Sequence, residues 1–196
     1  MKIEINGQPL SFTLENEKTI GDILKVLEEQ FEANESTIIE IILNGKNITA
    51  EEIDSLSTRE IQDSDTLSVT SVCAEGIIMS LKELAADFEP LCTELEELPV
   101  LMQQNDDKKS FDIINKFAES FDILCHLVTL SSLFPVKFEG KNIGGKSLAD
   151  FLKDFSPILT DFEDSLKNKD TVLTGDLAEY ELKPRLEAYV SDIAGF

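Results

Sequence analysis

The sequence has no tryptophan, a single histidine and no long apolar run. A membrane-spanning helix needs about 20 consecutive apolar residues, and no segment approaches that length. The first residues, MKIEING, lack the apolar stretch of a secretory signal peptide. We therefore expect a cytoplasmic protein that does not associate with a membrane.

Groups suited to catalysis or metal binding are equally scarce. His126 is the one side chain whose ordinary pKa suits a base near neutral pH, and it directly follows Cys125. Adjacent helical residues point about 100° apart, so the two do not form a nucleophile–base pair. Cys73, Cys92 and Cys125 are odd in number and lack a C-x-x-C spacing, which argues against a disulfide framework and a zinc site. We predict no catalytic residue, no metal site and no cofactor.

Negative charge dominates what the sequence does contain. Aspartate and glutamate total 39 against 17 lysines and arginines, which gives a net charge of −22. Residues 1–72 hold 15 of these acids and 5 of the bases, so the acidity is spread along the chain and is not a tail. Such a surface repels nucleic-acid phosphates and anionic lipid. A solvated acidic surface is favoured, and a mimic of DNA is the alternative.

Residues 1–73 show the patterns of short strands around one helix. KIEI (2–5) and LSFTL (10–14) alternate and flank the turn residues NGQP, which predicts a hairpin. Thr19 is a candidate N-cap for a helix whose apolar residues recur from Ile20 to Phe31 at helical spacing. TIIEIIL (37–43) and TLSVTSV (66–72) predict two further strands. The order strand, strand, helix, strand, strand is that of a β-grasp fold.

Within this part, ILNGKNI followed by LSTREIQDSDTLSV resembles the second half of ubiquitin. The resemblance covers about 72 of the 196 residues, and the matching positions are Gly45, Lys46, Leu56, Ser57, Ile61, Gln62, Thr66 and Leu67. It implies a ubiquitin-like β-grasp domain. A conjugated modifier ends in Gly-Gly after its last strand, whereas the Gly-Gly of this chain lies at 144–145, so we expect a built-in domain and not a tag. Of the positions that match ubiquitin's apolar docking patch, Ile42, Ser68 and Thr70, only Ile42 is apolar.

Residues 74–196 have the apolar spacing of amphipathic helices. The first seam runs from Ile77 to Met102 in a strict four-three alternation. Three further seams complete a predicted antiparallel bundle of about four helices, with a hairpin-like link near 134–146. They comprise Phe111, Ile114, Phe117, Phe121, Leu124 and Val128, then Leu148, Phe151, Phe155, Ile158, Phe162 and Leu166, and finally Leu177, Leu182, Leu186, Tyr189 and Ile193.

Two questions about these helices stay open at this point. Pro90, Pro99, Pro157 and Pro184 fall inside or near the helical patterns, where each could kink or end a helix. Because the phase of the first seam continues across Pro90, a kinked helix is favoured over a break. The seam from Ile77 to Met102 could also form a coiled-coil homodimer, although burial within one bundle is favoured.

One motif competes with this non-catalytic interpretation. GKNIGGKS (140–147) fits the phosphate-binding pattern G-x-x-x-x-G-K-[ST], with Gly140, Gly145, Lys146 and Ser147 at the fixed positions. A phosphate-binding loop joins a buried parallel strand to a helix, yet VKFE (136–139) has the pattern of an exposed hairpin strand. In the favoured alternative Ser147 is the N-cap of the third helix and Asp150 completes a capping box.

A second distinctive stretch is NKDTVLTGDLAEYELKPRL (168–186). Tyrosine and arginine are enriched where proteins contact each other most strongly, so Tyr180 and Arg185 are candidates for an interaction surface together with Ile42. The structural alternative packs Tyr180 on the bundle and pairs Arg185 with a local acid. We predict an α+β protein, a ubiquitin-like β-grasp domain (1–73) followed by an all-α helical bundle (74–196). The predicted function is that of an acidic adaptor or scaffold for an unknown protein partner, and nucleotide binding through 140–147 is the alternative.

Overall fold

The computed structural model describes residues 1–11 and 17–196. It divides into two compact units, Met1–Gly76 and Ile77–Phe196. The first contains a mixed sheet with helices and the second is almost entirely helical, so the predicted α+β class is confirmed.

Five strands form the sheet of the N-terminal unit among the described residues. Its order is β2-β1-β5-β3-β4, with β1 parallel to β5 and the other pairs antiparallel. Of the predicted strand at 10–14, residues 12–14 lie outside the described residues. The hairpin turns at Asn6-Gly7 and Asn44-Gly45 have positive φ at both positions, as tight two-residue hairpin turns require. The strands are β1 (Lys2–Ile5), β2 (Gln8–Leu10), β3 (Ser36–Leu43), β4 (Lys46–Asn47) and β5 (Thr66–Cys73).

Helix α1 (Ile20–Ala33) begins at Thr19 as predicted. The Thr19 hydroxyl accepts the Asp22 N–H (3.1 Å), and the Asp22 carboxylate accepts the N–H groups of Lys18 and Thr19 (both 2.9 Å). These hydrogen bonds lower the pKa of Asp22 below its ordinary value, and the bond from the Lys18 N–H contributes most. A second helix, α2 (Ala50–Leu56), was not predicted. The core between helices and sheet comprises Ile3, Ile20, Ile23, Leu24, Leu27, Ile41, Leu43, Leu56, Leu67 and Val69.

Asp65 is a carboxylate buried in this unit, with 1% of its surface exposed. It accepts hydrogen bonds from Asn44 Nδ2 (2.7 Å), the Gln62 N–H (2.8 Å) and the Arg59 guanidinium (2.7 Å). Burial by itself raises the pKa of Asp65, but these hydrogen bonds and the charge of Arg59 outweigh it and lower the pKa. The Asp65 backbone carbonyl also accepts the Lys2 N–H (2.8 Å), so this residue ties the start of β1 to two loops.

The helical unit contains three long helices, the one-turn α5, and a last helical stretch that a π turn divides, where about four helices were predicted. VKFE (136–139) was predicted as a strand, but residues 135–138 form one helical turn because Pro135 suits the first position of a helix. The hairpin lies just after it, at 142–147. The elements are α3 (Ala74–Gln103), α4 (Asp107–Ser131), α5 (Pro135–Phe138), β6 (Asn142–Ile143), β7 (Lys146–Ser147), α6 (Leu148–Lys167), α7 (Thr171–Leu177), a π turn (Ala178–Leu182) and α8 (Lys183–Ile193).

None of the four prolines breaks its helix. Pro90 and Pro99 lie inside α3 and Pro157 lies inside α6, so the first helix does not break at Pro90, as the preference for a kinked helix over a break required. Pro184 is the second residue of α8 and lies just after the π turn, at whose end the Lys183 N–H donates to the Ala178 carbonyl five residues back. In a regular α-helix the ring of Pro184 would collide with the carbonyl four residues before it, and the wider turn relieves that collision.

The predicted seams are largely the buried faces of the helices. In α3, all seven residues of the predicted seam that precede Met102 are buried, and Met102 is half-buried. These seven are Ile77, Leu81, Leu84, Phe88, Leu91, Leu95 and Leu98. In α4 the prediction was wrong at the first turn, because Phe111 is exposed and Ile113 is buried in preference to Ile114. A homodimer through the α3 seam would first have to expose side chains that the chain itself already covers.

Tyr189 joins three helices at the centre of this unit. Its hydroxyl donates to the Leu81 carbonyl of α3 (2.6 Å). Its ring meets Phe88 of α3 edge-on (5.2 Å between centroids) and stacks with Phe151 of α6 (6.3 Å). Burial raises the pKa of Tyr189 strongly, so the hydroxyl stays protonated and remains a donor. A fully buried tyrosine needs such a partner, and this one fixes the rotation of α8.

We expect Gly21→Ala to destabilise the N-terminal unit by about 1–3 kcal/mol. An added Cβ would lie 2.5 Å from Ser57 Cα and 2.9 Å from the Ser57 carbonyl oxygen, and backbone atoms cannot move aside. Alanine's higher helix propensity, about 1 kcal/mol, offsets only part of this cost. Urea unfolding, with hydrogen exchange to follow α1, measures the change.

Gly76→Ala is the matched control for that substitution. Gly76 is also helical, but its added Cβ would meet only the Cys73 sulfur, at the ordinary contact distance of 3.4 Å. We expect no loss of stability from this variant. Equal effects of the two substitutions would contradict the close approach of α1 to Ser57.

We expect Asp65→Asn to cost about 2 kcal/mol near neutral pH, because charge-assisted hydrogen bonds are lost. The folded-state pKa of Asp65 is lowered, so its contribution is complete above the ordinary value of 3.8. That contribution disappears as the pH falls through the folded-state pKa. Urea unfolding of both proteins at about pH 7 and about pH 3 should therefore show a difference that shrinks in acid. A difference independent of pH would contradict the role assigned to the carboxylate.

Candidate functional site

The segment 140–147 forms a tight hairpin that leads into a helix. Gly144 and Gly145 occupy the turn with φ of 57° and 76°, and Ile143 beside them is fully buried. The Gly144 N–H donates to the Asp192 carboxylate of α8 (2.7 Å). Gly140 lies at the end of α5, also with positive φ. The hydrogen bond from the Gly144 N–H thus ties the turn to α8. In a phosphate-binding loop, such a backbone N–H would instead donate to the phosphate.

Lys146 and Ser147 have structural partners as well. The Lys146 amine is paired with Asp154 on the next helix. Ser147 Oγ accepts the Asp150 N–H (3.2 Å) and donates to the Asp150 carboxylate (2.8 Å), so the predicted N-cap of α6 is confirmed. Hydrogen bonds from Lys153 and then Ser147 lower the pKa of Asp150. An anion here would face the negative charges of Asp150 and Asp154, which weaken its binding.

The first predicted interaction residue, Ile42, lies on the sheet face opposite the core. It pairs with Ser68 across β5 and is half-buried. Beside it, the Thr70 hydroxyl donates to the Glu40 carboxylate (3.2 Å). The surroundings of Ile42 are therefore polar, and Ile42 belongs to the N-terminal unit whereas Tyr180 and Arg185 belong to the helical unit.

Tyr180 lies in the π turn with 64% of its surface exposed, so the expectation that it packs on the bundle is wrong. Its neighbour Glu179 raises the pKa of Tyr180, mainly by a side-chain hydrogen bond and then by its charge, which keeps the phenol protonated. Val172 and Leu173 in α7 are also exposed. We call these three side chains the α7 surface.

Arg185 supports that turn from within. Its Nη1 donates to the Glu181 carbonyl (2.7 Å) and to the Glu181 carboxylate (2.8 Å), as the structural alternative predicted. A hydroxyl pair, Ser165 and Thr174 (2.8 Å), ties α7 to α6 in the interior. The α7 surface is thus carried by a helix whose inner side is fixed in place.

The thiols and the histidine do not form a site in the described part of the chain. Cys92 is buried and Cys125 is half-buried, and burial raises the pKa of both thiols. His126 is exposed. Within residues 1–11 and 17–196, no three metal-ligating side chains come together. The densest acidic segment supplies ion pairs, since Glu94 binds Lys116 (2.7 Å) and Glu96 binds Lys183 (2.6 Å).

An apolar groove in the N-terminal unit was missed by the sequence interpretation. Its volume is about 590 Å³, and we call it the α1–β3 groove. Gly21 and Ser57, whose backbones approach closely, both contribute to its lining. Two large side chains on its walls are partly exposed, Ile39 (38%) and Ile53 (40%). The lining comprises Gly21, Leu24, Lys25, Glu28, Ile38, Ile39, Glu40, Ile41, Asn47, Ile48, Ala50, Ile53 and Ser57.

A β-bulge explains why the groove could not be foreseen. In a regular strand, Ile39 would lie on the core face together with Ile41 and Leu43. The register shift between Ile38 and Glu40 instead turns Ile38, which lies opposite Ser71, toward the core and leaves Ile39 exposed. The run TIIEIIL contains the residues but no mark of the bulge, and α2, which forms the second wall, was not predicted.

Comparisons with known proteins match both units. Residues 1–72 match the family described as the TP0873 N-terminal domain, and residues 79–191 match a domain of unknown function (DUF8042). An uncharacterised protein of Treponema pallidum (strain Nichols) is 30% identical over 184 residues, which cover 94% of this chain and 92% of the relative. No solved structure matches the chain.

The matching family models span nearly the whole chain, and neither is described as ubiquitin-like. Among the residues that the structure describes, no helix has the length and apolarity needed to traverse a bilayer. The DUF8042 match covers more than half of the sequence, and the relative shares both units. The chain therefore belongs to the DUF8042 family, here with a TP0873-type N-terminal domain.

Proposed function

We propose that the protein is a non-catalytic, acidic adaptor or scaffold of the cytoplasm that acts through protein–protein contacts. Its N-terminal unit serves in this proposal as a ubiquitin-like recognition domain and not as a conjugated modifier. The strand order, with β1 parallel to β5 and one long helix on the sheet, supports that assignment. No cofactor, nucleic acid or membrane enters the proposal.

The observation that carries the proposal is the α7 surface. This surface exposes three large side chains with apolar area, Val172, Leu173 and Tyr180. The chain around them is strongly acidic, with a net charge of −22. Tyrosine provides a large contact area at low cost in side-chain entropy, and it is enriched at interaction hot spots. Its protonated hydroxyl adds a hydrogen-bond donor for a partner.

The competing hypothesis is a nucleotide-binding regulator or enzyme that uses Gly140, Gly145, Lys146 and Ser147. We expect no rise in melting temperature with Mg-ATP or Mg-GTP, because the Gly144 amide and the Lys146 amine already bind carboxylates. Lys146→Ala breaks a partly exposed ion pair, so it should shift the melting temperature by less than about 2 °C. A nucleotide-dependent stabilisation that Lys146→Ala abolishes would overturn the adaptor proposal.

A direct test compares partner capture by matched aromatic truncations. Tyr180 is 64% exposed and Phe111, on α4, is 62% exposed, so neither truncation opens a cavity in the core. We expect Tyr180→Ala to reduce recovery of the main partner by about tenfold, and Phe111→Ala to leave it unchanged. Quantitative mass spectrometry of proteins captured on the full chain from its native host measures this. Equal recovery by the wild type and both variants would count against the α7 surface.

A further inference from the structure

We propose that the α1–β3 groove binds an extended peptide segment in which aliphatic side chains alternate with small polar ones between lysines or arginines. This inference rests on the proposed adaptor function and gives it a second contact surface, in the N-terminal unit. The shape, the lining and the charge of the groove each contribute to the choice of occupant.

The free edge of β3 favours an extended conformation. Strand β3 pairs with β5 from Ser36 to Leu43, but on its other edge β4 covers only Ile42 and Leu43. Just after β4, one further backbone hydrogen bond covers this edge, from the Ile48 N–H to the Ile41 carbonyl (2.9 Å). From Ser36 to Glu40 this edge has no strand partner among the described residues. An added strand would continue where Ile48 stops, and its backbone would supply the missing hydrogen bonds.

The lining favours aliphatic side chains at alternate positions of the peptide. Ile39 and Ile53 contribute partly exposed apolar side chains to the lining, and Leu24 and Ile41 contribute buried ones. A volume near 590 Å³ lies within the range of about 300–1,000 Å³ typical of sites that enclose a ligand. In an extended segment, every second side chain points to the same side, so two or three such residues would enter the groove together.

The charge around the groove favours basic flanks and disfavours other occupants. The elements that bound it carry four acids in α1, one in β3 and three in α2, against two bases, Lys25 in α1 and Lys46 in β4. Lysine or arginine at the ends of the segment would complement this field. A second copy of the chain would bring its own negative surface against it, and nucleic acid would be repelled.

The test measures fluorescence anisotropy of labelled peptides with the full chain. The probe is KKITVTIKK, and three control peptides each remove one property. EEITVTIEE reverses the flanking charge, KKSTSTSKK removes the aliphatic side chains, and KKIPVPIKK removes two backbone donors. We expect only the first probe to bind well, with each control weaker by about tenfold or more. Binding of the first probe should also weaken as salt screens the charges.

Variants locate the site on the protein. Ile39→Ser and Ile53→Ser change partly exposed side chains, so the unit should keep its fold, which circular dichroism and the urea midpoint check. Ile123→Ser is the matched control, because Ile123 is 48% exposed on α4 of the other unit. We expect the double variant Ile39→Ser/Ile53→Ser to lose binding by about tenfold and Ile123→Ser to bind like the wild type.

Several outcomes would overturn the proposal. The wild type could fail to bind the first probe, the acidic peptide could bind equally well, or the groove variants could keep full affinity. Sedimentation would reveal the alternative of a second copy, as a wild-type dimer that Ile53→Ser dissociates. These measurements do not depend on partner capture through Tyr180. Peptide binding can therefore contradict the groove proposal while partner capture supports the adaptor proposal. Partner capture can likewise contradict the adaptor proposal while the groove binds the peptide.

Discussion

Repulsion between carboxylates is the constraint on which the rest of the structure depends. A net charge of −22 opposes compaction, so ionised side chains must stay in water or acquire partners. The structure follows this requirement closely. The carboxylate of Asp65 is buried, and it is surrounded by three donors. Asp22 and Asp170 instead accept amide N–H groups at helix starts, where negative charge is stabilising.

The same abundance of acidic residues bears on the interpretation of the apolar side chains that are exposed to solvent. Where acids are so plentiful, an exposed apolar side chain is not the result of a shortage of polar residues. The α7 surface and the α1–β3 groove lie in different units. The Ser165–Thr174 hydrogen bond ties α7 to α6, and Gly21 and Ser57, which approach each other closely, both line the groove. In the proposed scaffold function, each of the two surfaces would hold one partner.

Sequence patterns predicted the elements of this protein better than its sites. Thr19 and Ser147 were found as N-caps because a cap has a local chemical signature, and the seams of α3 and α6 were found because burial follows helical spacing. Phe111 and VKFE were misplaced, since a helix end and a single helical turn carry little periodicity. The groove depends on a bulge at Ile39 and on contacts between distant residues such as Gly21 and Ser57. Neither leaves a pattern within a short window of sequence.

The π turn has a consequence for how this family can vary in length. A π turn holds one residue more than the α-helical turn it replaces, so deleting a residue within 178–182 would restore a regular helix. The residues after it would keep about their present orientation, because the π turn absorbs its extra residue locally. Tyr189 would therefore keep the Leu81 carbonyl and the rings of Phe88 and Phe151 as neighbours. A deletion between Lys183 and Tyr189 has no such buffer, and it would rotate Tyr189 by about 100° away from all three. Changes in length are thus compatible with the aromatic centre inside the π turn and incompatible with it in the first turns of α8.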